Sequence, residues 1–139
     1  MIHTADLVIG PEHIDQYRHV NYKGIPALLE PFQDTLLARA GTSFDDIEKR
    51  FGLRSFVKKM EITWSGELKE GDVCGIVSAL TLGNTSMTFR QEIYEATRSS
   101  FGKPEVQLVM VVVMVNSADV PTLIPEELRD LFLIVSSID

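Results

Sequence analysis

From Gly24 to Gly41 apolar residues return every three or four positions: Ile25, Leu28, Leu29, Phe32, Leu36 and Ala40. That spacing lays them along one stripe of a helix. Asn21 stands ahead of it as an N-cap, and Pro26 falls in the first turn, where a missing N–H is tolerated. Gly41 supplies the stop. Pro31 sits inside the pattern and is expected to kink the helix. A shorter helix is expected over 43–52, capped by Ser43 with Asp46 three residues on.

Elsewhere the period is two. Phe56, Lys58, Met60, Ile62 and Trp64 alternate with their neighbours and predict one face of a strand over 55–64. A second strand is expected over 73–82, and Gly83-Asn84 marks a turn. Over 86–96, Met87, Phe89, Gln91 and Ile93 alternate against Thr88, Arg90, Glu92 and Tyr94. "RSSFGKP" is expected to turn the chain into the valine-rich run 106–115. That run is about half the ~20 residues of a membrane helix and reads as a buried strand. A short strand over 3–10, interrupted by Pro11, precedes the first helix. A short helix with Pro125 near its start follows the last strand. The order is strand, helices, then strands joined by turns, which favours an α+β domain with an antiparallel sheet and helices on one face.

The 139 residues suit a single domain, 1–139, and show no repeats or linkers. Net charge is -7 and the pI is near 4.9, which argues against nucleic acid as a main partner. The single cysteine, Cys74, permits no internal disulfide and lies in a strand pattern, so it reads as a small buried hydrophobe. The N-terminal segment lacks the pattern of a signal peptide. These features lead us to expect a cytoplasmic protein with no membrane partner.

Chemistry gathers in "EHIDQYRHVNY", Glu12 to Tyr22, just before the main helix. Asp15 is a candidate base or nucleophile, or else caps a turn or pairs with Arg18. His19 and Asn21 can act on a substrate or only order the backbone. His13, Asp15 and His19 are legitimate metal ligands, but no second ligand cluster accompanies them and no metal or cofactor is expected. Neither "TWSGE" nor "GTSFD" has the elbow of a serine hydrolase.

"DQYRHVNY" resembles the D-x-x-x-H-V-N signature of hot-dog-fold acyl-thioester hydrolases, the 4-hydroxybenzoyl-CoA thioesterase and acyl-ACP thioesterase group. Glu30 falls where helices of that group often carry a glutamate. "GELKEGD" resembles its turn before the third strand, and "KPEVQLVMVVVMV" with "PTLIPEEL" resembles its last strand and tail. Three features depart: Tyr22 replaces a second asparagine, Gly24 with Pro26 and Pro31 replaces a smoother helix start, and Arg18 stands where glycine often precedes the histidine.

The resemblance implies a hot-dog fold, a curved antiparallel sheet wrapped around a long central helix. It implies hydrolysis of an acyl-CoA or acyl-ACP thioester without a cofactor. Asp15 would be nucleophile or general base, and the amide of Tyr22 would polarise the carbonyl, with His19 and Asn21 shaping the loop. Tyr17 is a candidate for the acyl pocket. Lys58, Lys59 and Arg90, with Lys103, are candidates for CoA phosphates. An uncovered strand edge and the resemblance together suggest a homodimer or homotetramer. The rival reading is a non-catalytic module that binds acyl thioesters or hydrophobic ligands on the same fold. A dehydratase is weaker, because no second acid-histidine motif is present.

Overall fold

The computed structural model describes residues 2–97 and 102–136, with side chains over 6–97 and 102–133. Five strands form one antiparallel sheet: β1 (Ile2–Val8), β2 (Arg54–Trp64), β3 (Val73–Leu82), β4 (Ser86–Glu95) and β5 (Val106–Val115). Their spatial order is β1-β3-β4-β5-β2. Helix α1 (Gly24–Arg39) lies across one face, followed by α2 (Phe44–Phe51) and, at the end of the chain, α3 (Glu126–Ser136). A short 3-10 turn, Pro11–His13, follows β1 where proline was expected to break it. Of the turn expected between β4 and β5, residues 98–101 lie outside the described residues.

The helix caps behave as their chemistry requires. Ser43 Oγ accepts from the Asp46 N–H at 3.0 Å, and Gly52 closes α2 with φ +67°, a backbone angle that favours glycine. Gly41, φ +83°, ends α1 in the same way. The helix runs on through Pro31, which faces solvent.

Two apolar clusters fill the space between helices and sheet. Ile25, Leu28 and Leu29 pack with Leu68, Ile76, Ile93 and Leu108 under the first half of α1. Leu36 and Leu37 pack with Leu80, Phe89, Met110 and Phe132 under the second half. The buried side of β3, β4 and β5 alternates with the outer side, as strand geometry demands.

Strand β2 departs from its expected alternation. A bulge shifts the register between Val57 and Lys59. Phe56 therefore pairs with Val113 on the outer side, whereas Met60 pairs with Met110 on the helix side. Phe56, Lys58 and Met60 do not share a face, because one extra residue reverses a period of two. The helix-side set is Ser55, Val57, Met60, Ile62 and Trp64. At the sheet edge these remain largely open, with Val57 51% and Met60 40% exposed.

Candidate active site at the entrance to the main helix

The loop 12–22 is held at both ends by the core. Ile9 and Val20 are buried in the cluster beneath α1, and Leu68 lies between the two chain segments. The "GELKEGD" turn stitches them together. Val20 N–H donates to Leu68 O at 2.9 Å, Gly71 N–H to Ile9 O at 2.7 Å, and Ile9 N–H to Asp72 O at 2.9 Å. His19 also forms an isolated antiparallel bridge with Lys69.

Inside that frame the loop closes on itself. Arg18 N–H donates to Asp15 O at 3.0 Å, and Asp15 N–H donates to His19 O at 3.1 Å. Arg18 takes φ +65°, the left-handed conformation that explains why glycine suits this position. Its guanidinium pairs with Glu70 at 3.0 Å, not with Asp15.

Asp15 is half-buried and both its oxygens are oriented. Oδ1 accepts from the Tyr17 N–H at 2.9 Å, closing an Asx turn. Oδ2 lies 3.5 Å from Asn21 Nδ2. Asn21 in turn uses Oδ1 to accept from the N–H groups of Lys23 and Gly24, both at 3.0 Å. Because two N–H donors hold Oδ1, the Nδ2 end must be the one facing Asp15. Asn21 thus caps the helix entrance and ties the carboxylate to it. Between them in sequence, the Tyr22 N–H donates to no acceptor among the described residues. It lies one residue ahead of Lys23, the N-cap of α1, close to the positive end of the helix dipole.

A surface cleft of about 390 Å³ opens here, lined by His19, Asn21, Tyr22, Trp64, Gly66 and Glu67 among others. Glu67 Oε2 lies 3.6 Å from His19 Nδ1. Tyr17, 72% exposed, borders a neighbouring hollow with Arg18, His19, Lys69 and Glu70.

The structure therefore brings Asp15, His19, Asn21 and Tyr22 together, with Tyr17 alongside. Lys58, Lys59 and Arg90 are not brought to this loop within one chain. Lys58 lines a separate outer cleft of about 510 Å³ with Phe56, Val113, Val115, Asp119 and Pro121. It lies six residues along β2 from Trp64, a strand distance of ~20 Å. Lys59 pairs with Glu61 at 3.0 Å, and Arg90 stands opposite Val109 on the outer face. Lys103 is exposed in the described part of the β4–β5 turn. Among the described residues no three His, Cys, Asp or Glu side chains form a metal-ligand set. His13 instead accepts the Gly10 N–H through Nδ1 at 3.0 Å.

A second feature was missed in the sequence. A groove of about 480 Å³ runs between α1 and β2, from Lys23 and Pro26 past Glu30 to Gln33 and Asp34, with Val57, Met60 and Met110 opposite. Its signal was a polar residue in the apolar stripe of α1: Gln33 follows Leu29 by four residues and is only 5% exposed.

No family model matches the chain, and no curated protein does. Solved structures match over nearly its whole length. A 1,4-dihydroxy-2-naphthoyl-CoA thioesterase from Synechocystis superposes with a TM-score of 0.80 at 11% identity, covering 94% of each chain. A probable thioesterase from Escherichia coli gives 0.77 at 18% identity, covering 94% of this chain and 96% of its own. A hypothetical protein from Staphylococcus aureus, solved in complex with CoA, gives 0.78 at 14% identity, covering 100% of this chain and 90% of its own. The fold is the hot-dog fold. At these identities the likeness to named thioesterases is one of architecture.

Proposed function

We propose that the chain hydrolyses acyl-CoA or acyl-ACP thioesters at the loop before α1. The observation that supports this reading is an oriented carboxylate, Asp15, within 3.5 Å of Asn21 Nδ2, the residue just before Tyr22, whose N–H has no acceptor among the described residues. A thioester carbonyl held by that amide gains stabilisation as its oxygen becomes negative. Asp15 then either attacks the carbonyl carbon, expelling the thiolate and leaving a mixed anhydride for water to open, or takes a proton from an attacking water. Both routes yield a free acid and a thiol. The CoA complex of the staphylococcal structure supports a CoA-type substrate. In this chain Lys69 borders the hollow beside the loop and is the candidate to meet phosphates there, Arg18 in the same hollow being paired with Glu70.

Purified protein is expected to release free thiol from at least one member of a panel of short, long and aromatic acyl-CoAs, read with a thiol-reactive dye. Saturable binding of acyl-CoA with no release from any member would overturn the hydrolytic reading in favour of the binding module.

The same reading includes a homodimer, or a tetramer of such dimers. Strand β2 is a sheet edge, and Phe56, Val57, Met60 and Trp64 on it are all exposed. An open edge with apolar side chains favours pairing with a second copy. Light scattering after size exclusion should report at least twice the 15.6 kDa chain mass. A single species at chain mass would count against the dimer.

A further inference from the structure

We infer that the groove between α1 and β2 is a subsite for an acyl chain bearing a hydroxyl group, and that Gln33 is the residue that reads the hydroxyl. That the occupant is an acyl chain rests on the thioesterase reading; the position and orientation of the acceptor do not.

A buried polar network separates the two apolar clusters. Ser78 on β3 lies between Ile76 and Leu80, Gln91 on β4 between Phe89 and Ile93, and Gln33 on α1 between Leu29 and Leu36. Gln91 Nε2 donates to the Leu29 carbonyl and to Ser78 Oγ, both at 3.2 Å. A carbonyl only accepts, so the nitrogen of Gln91 must face Leu29 and its oxygen must face Gln33. Gln33 Nε2 donates to that oxygen at 2.9 Å. Every amide in the chain of bonds is thereby assigned, and Gln33 is left presenting Oε1.

That oxygen accepts no hydrogen bond among the described residues. It is not sealed in either, since no buried side-chain polar atom there lacks a partner. Gln33 is 5% exposed and lines the groove, so its small open area faces into the groove. The opposite wall is apolar: Val57, Met60, Met110 and Val112. Glu30 and Asp34 stand on the exposed rim, where solvent satisfies them.

The groove begins at Lys23 and Pro26, directly after the Tyr22 amide. From Lys23 to Gln33 a helical path covers ~15 Å. A chain whose carbonyl rests at Tyr22 passes along apolar walls and meets one fixed acceptor. A hydroxyl there gains a hydrogen bond at little desolvation cost compared with an ammonium. A plain alkyl chain covers Oε1 without pairing it.

The test uses CoA thioethers, which bind but cannot be hydrolysed. Plain n-alkyl and ω-hydroxyalkyl thioethers of eight to fourteen carbons are compared at equal length by calorimetry. The proposal expects the hydroxylated probe to bind about tenfold tighter at one favoured length. It expects the preference to vanish in Gln33→Met/Gln91→Leu, which removes both partners of the buried bond together. Equal affinities at every length, or binding of neither probe, overturn the proposal. So does a preference that survives in the double variant. If that variant fails to fold, the parent's own ratio still decides. Thiol release from the acyl-CoA panel is scored separately. Release without hydroxyl preference defeats this inference alone, whereas preference without release defeats only the hydrolytic reading.

Discussion

Asp15→Asn is expected to slow thiol release by at least about 10²–10⁴-fold while the fold survives, the usual worth of a positioned general base. The substitution suits this loop. An asparagine oxygen can still accept the Tyr17 N–H, so the Asx turn that Asp15 closes at 2.9 Å persists. What disappears is the charge, and with it both the ability to attack a carbonyl and the ability to take a proton from water. The contact with Asn21 Nδ2 is long, 3.5 Å, so its weakening costs little structure. Rates should be read beside circular dichroism and the thermal midpoint. A variant as fast as the parent would remove Asp15 from the mechanism.

Tyr22→Pro is expected to lower kcat by about 10²–10³-fold, the effect of losing one oxyanion donor. Proline deletes the N–H and is accepted near helix starts, since the first amides of a helix have no partner inside it. The side chain needs its own control. Tyr22 is 65% exposed, and the Lys23 ammonium sits 5.8 Å from its ring centre. Tyr22→Ala removes that ring yet keeps the amide, so it should stay within about tenfold of the parent. Equal losses in the two variants would place the function of this residue in its ring and not in its backbone.

Much of the architecture was legible because periodicity reports burial. The stripe of α1, the Ser43 cap, the strands β3 and β5 and the alternation of β4 all appear where the apolar pattern put them. Strand β2 was misread for a physical reason. Its bulge follows from pairing with β5, and nothing in "FVKKM" announces an extra residue. The candidate lysines failed to gather for a related reason. Lys58, Lys59 and Arg90 were chosen by charge, whereas their placement depends on a strand order that puts β2 beside β5 at the far edge. The loop was easier, since the bonds that orient Asp15 and Asn21 are local and span six residues or fewer, although Arg18, His19 and Val20 are also held by the distant turn at 67–70. Arg18 shows the limit even there. The sequence marks a departure from glycine, but only the backbone angle of +65° says what glycine was for. Gln33 and Gln91 were visible as polar residues on apolar faces, yet their partnership crosses 58 positions of chain.

The most direct measurement is a structure of the protein bound to a ketone analogue of an acyl-CoA, in which a methylene replaces the thioester sulfur. The account predicts the ketone oxygen about 2.7–3.1 Å from Tyr22 N. It predicts an Asp15 oxygen, or a water bound to it, about 3–3.5 Å from the carbonyl carbon. A ketone lodged elsewhere, with the Tyr22 amide bonded to another group or Asp15 turned away from the carbon, would contradict it.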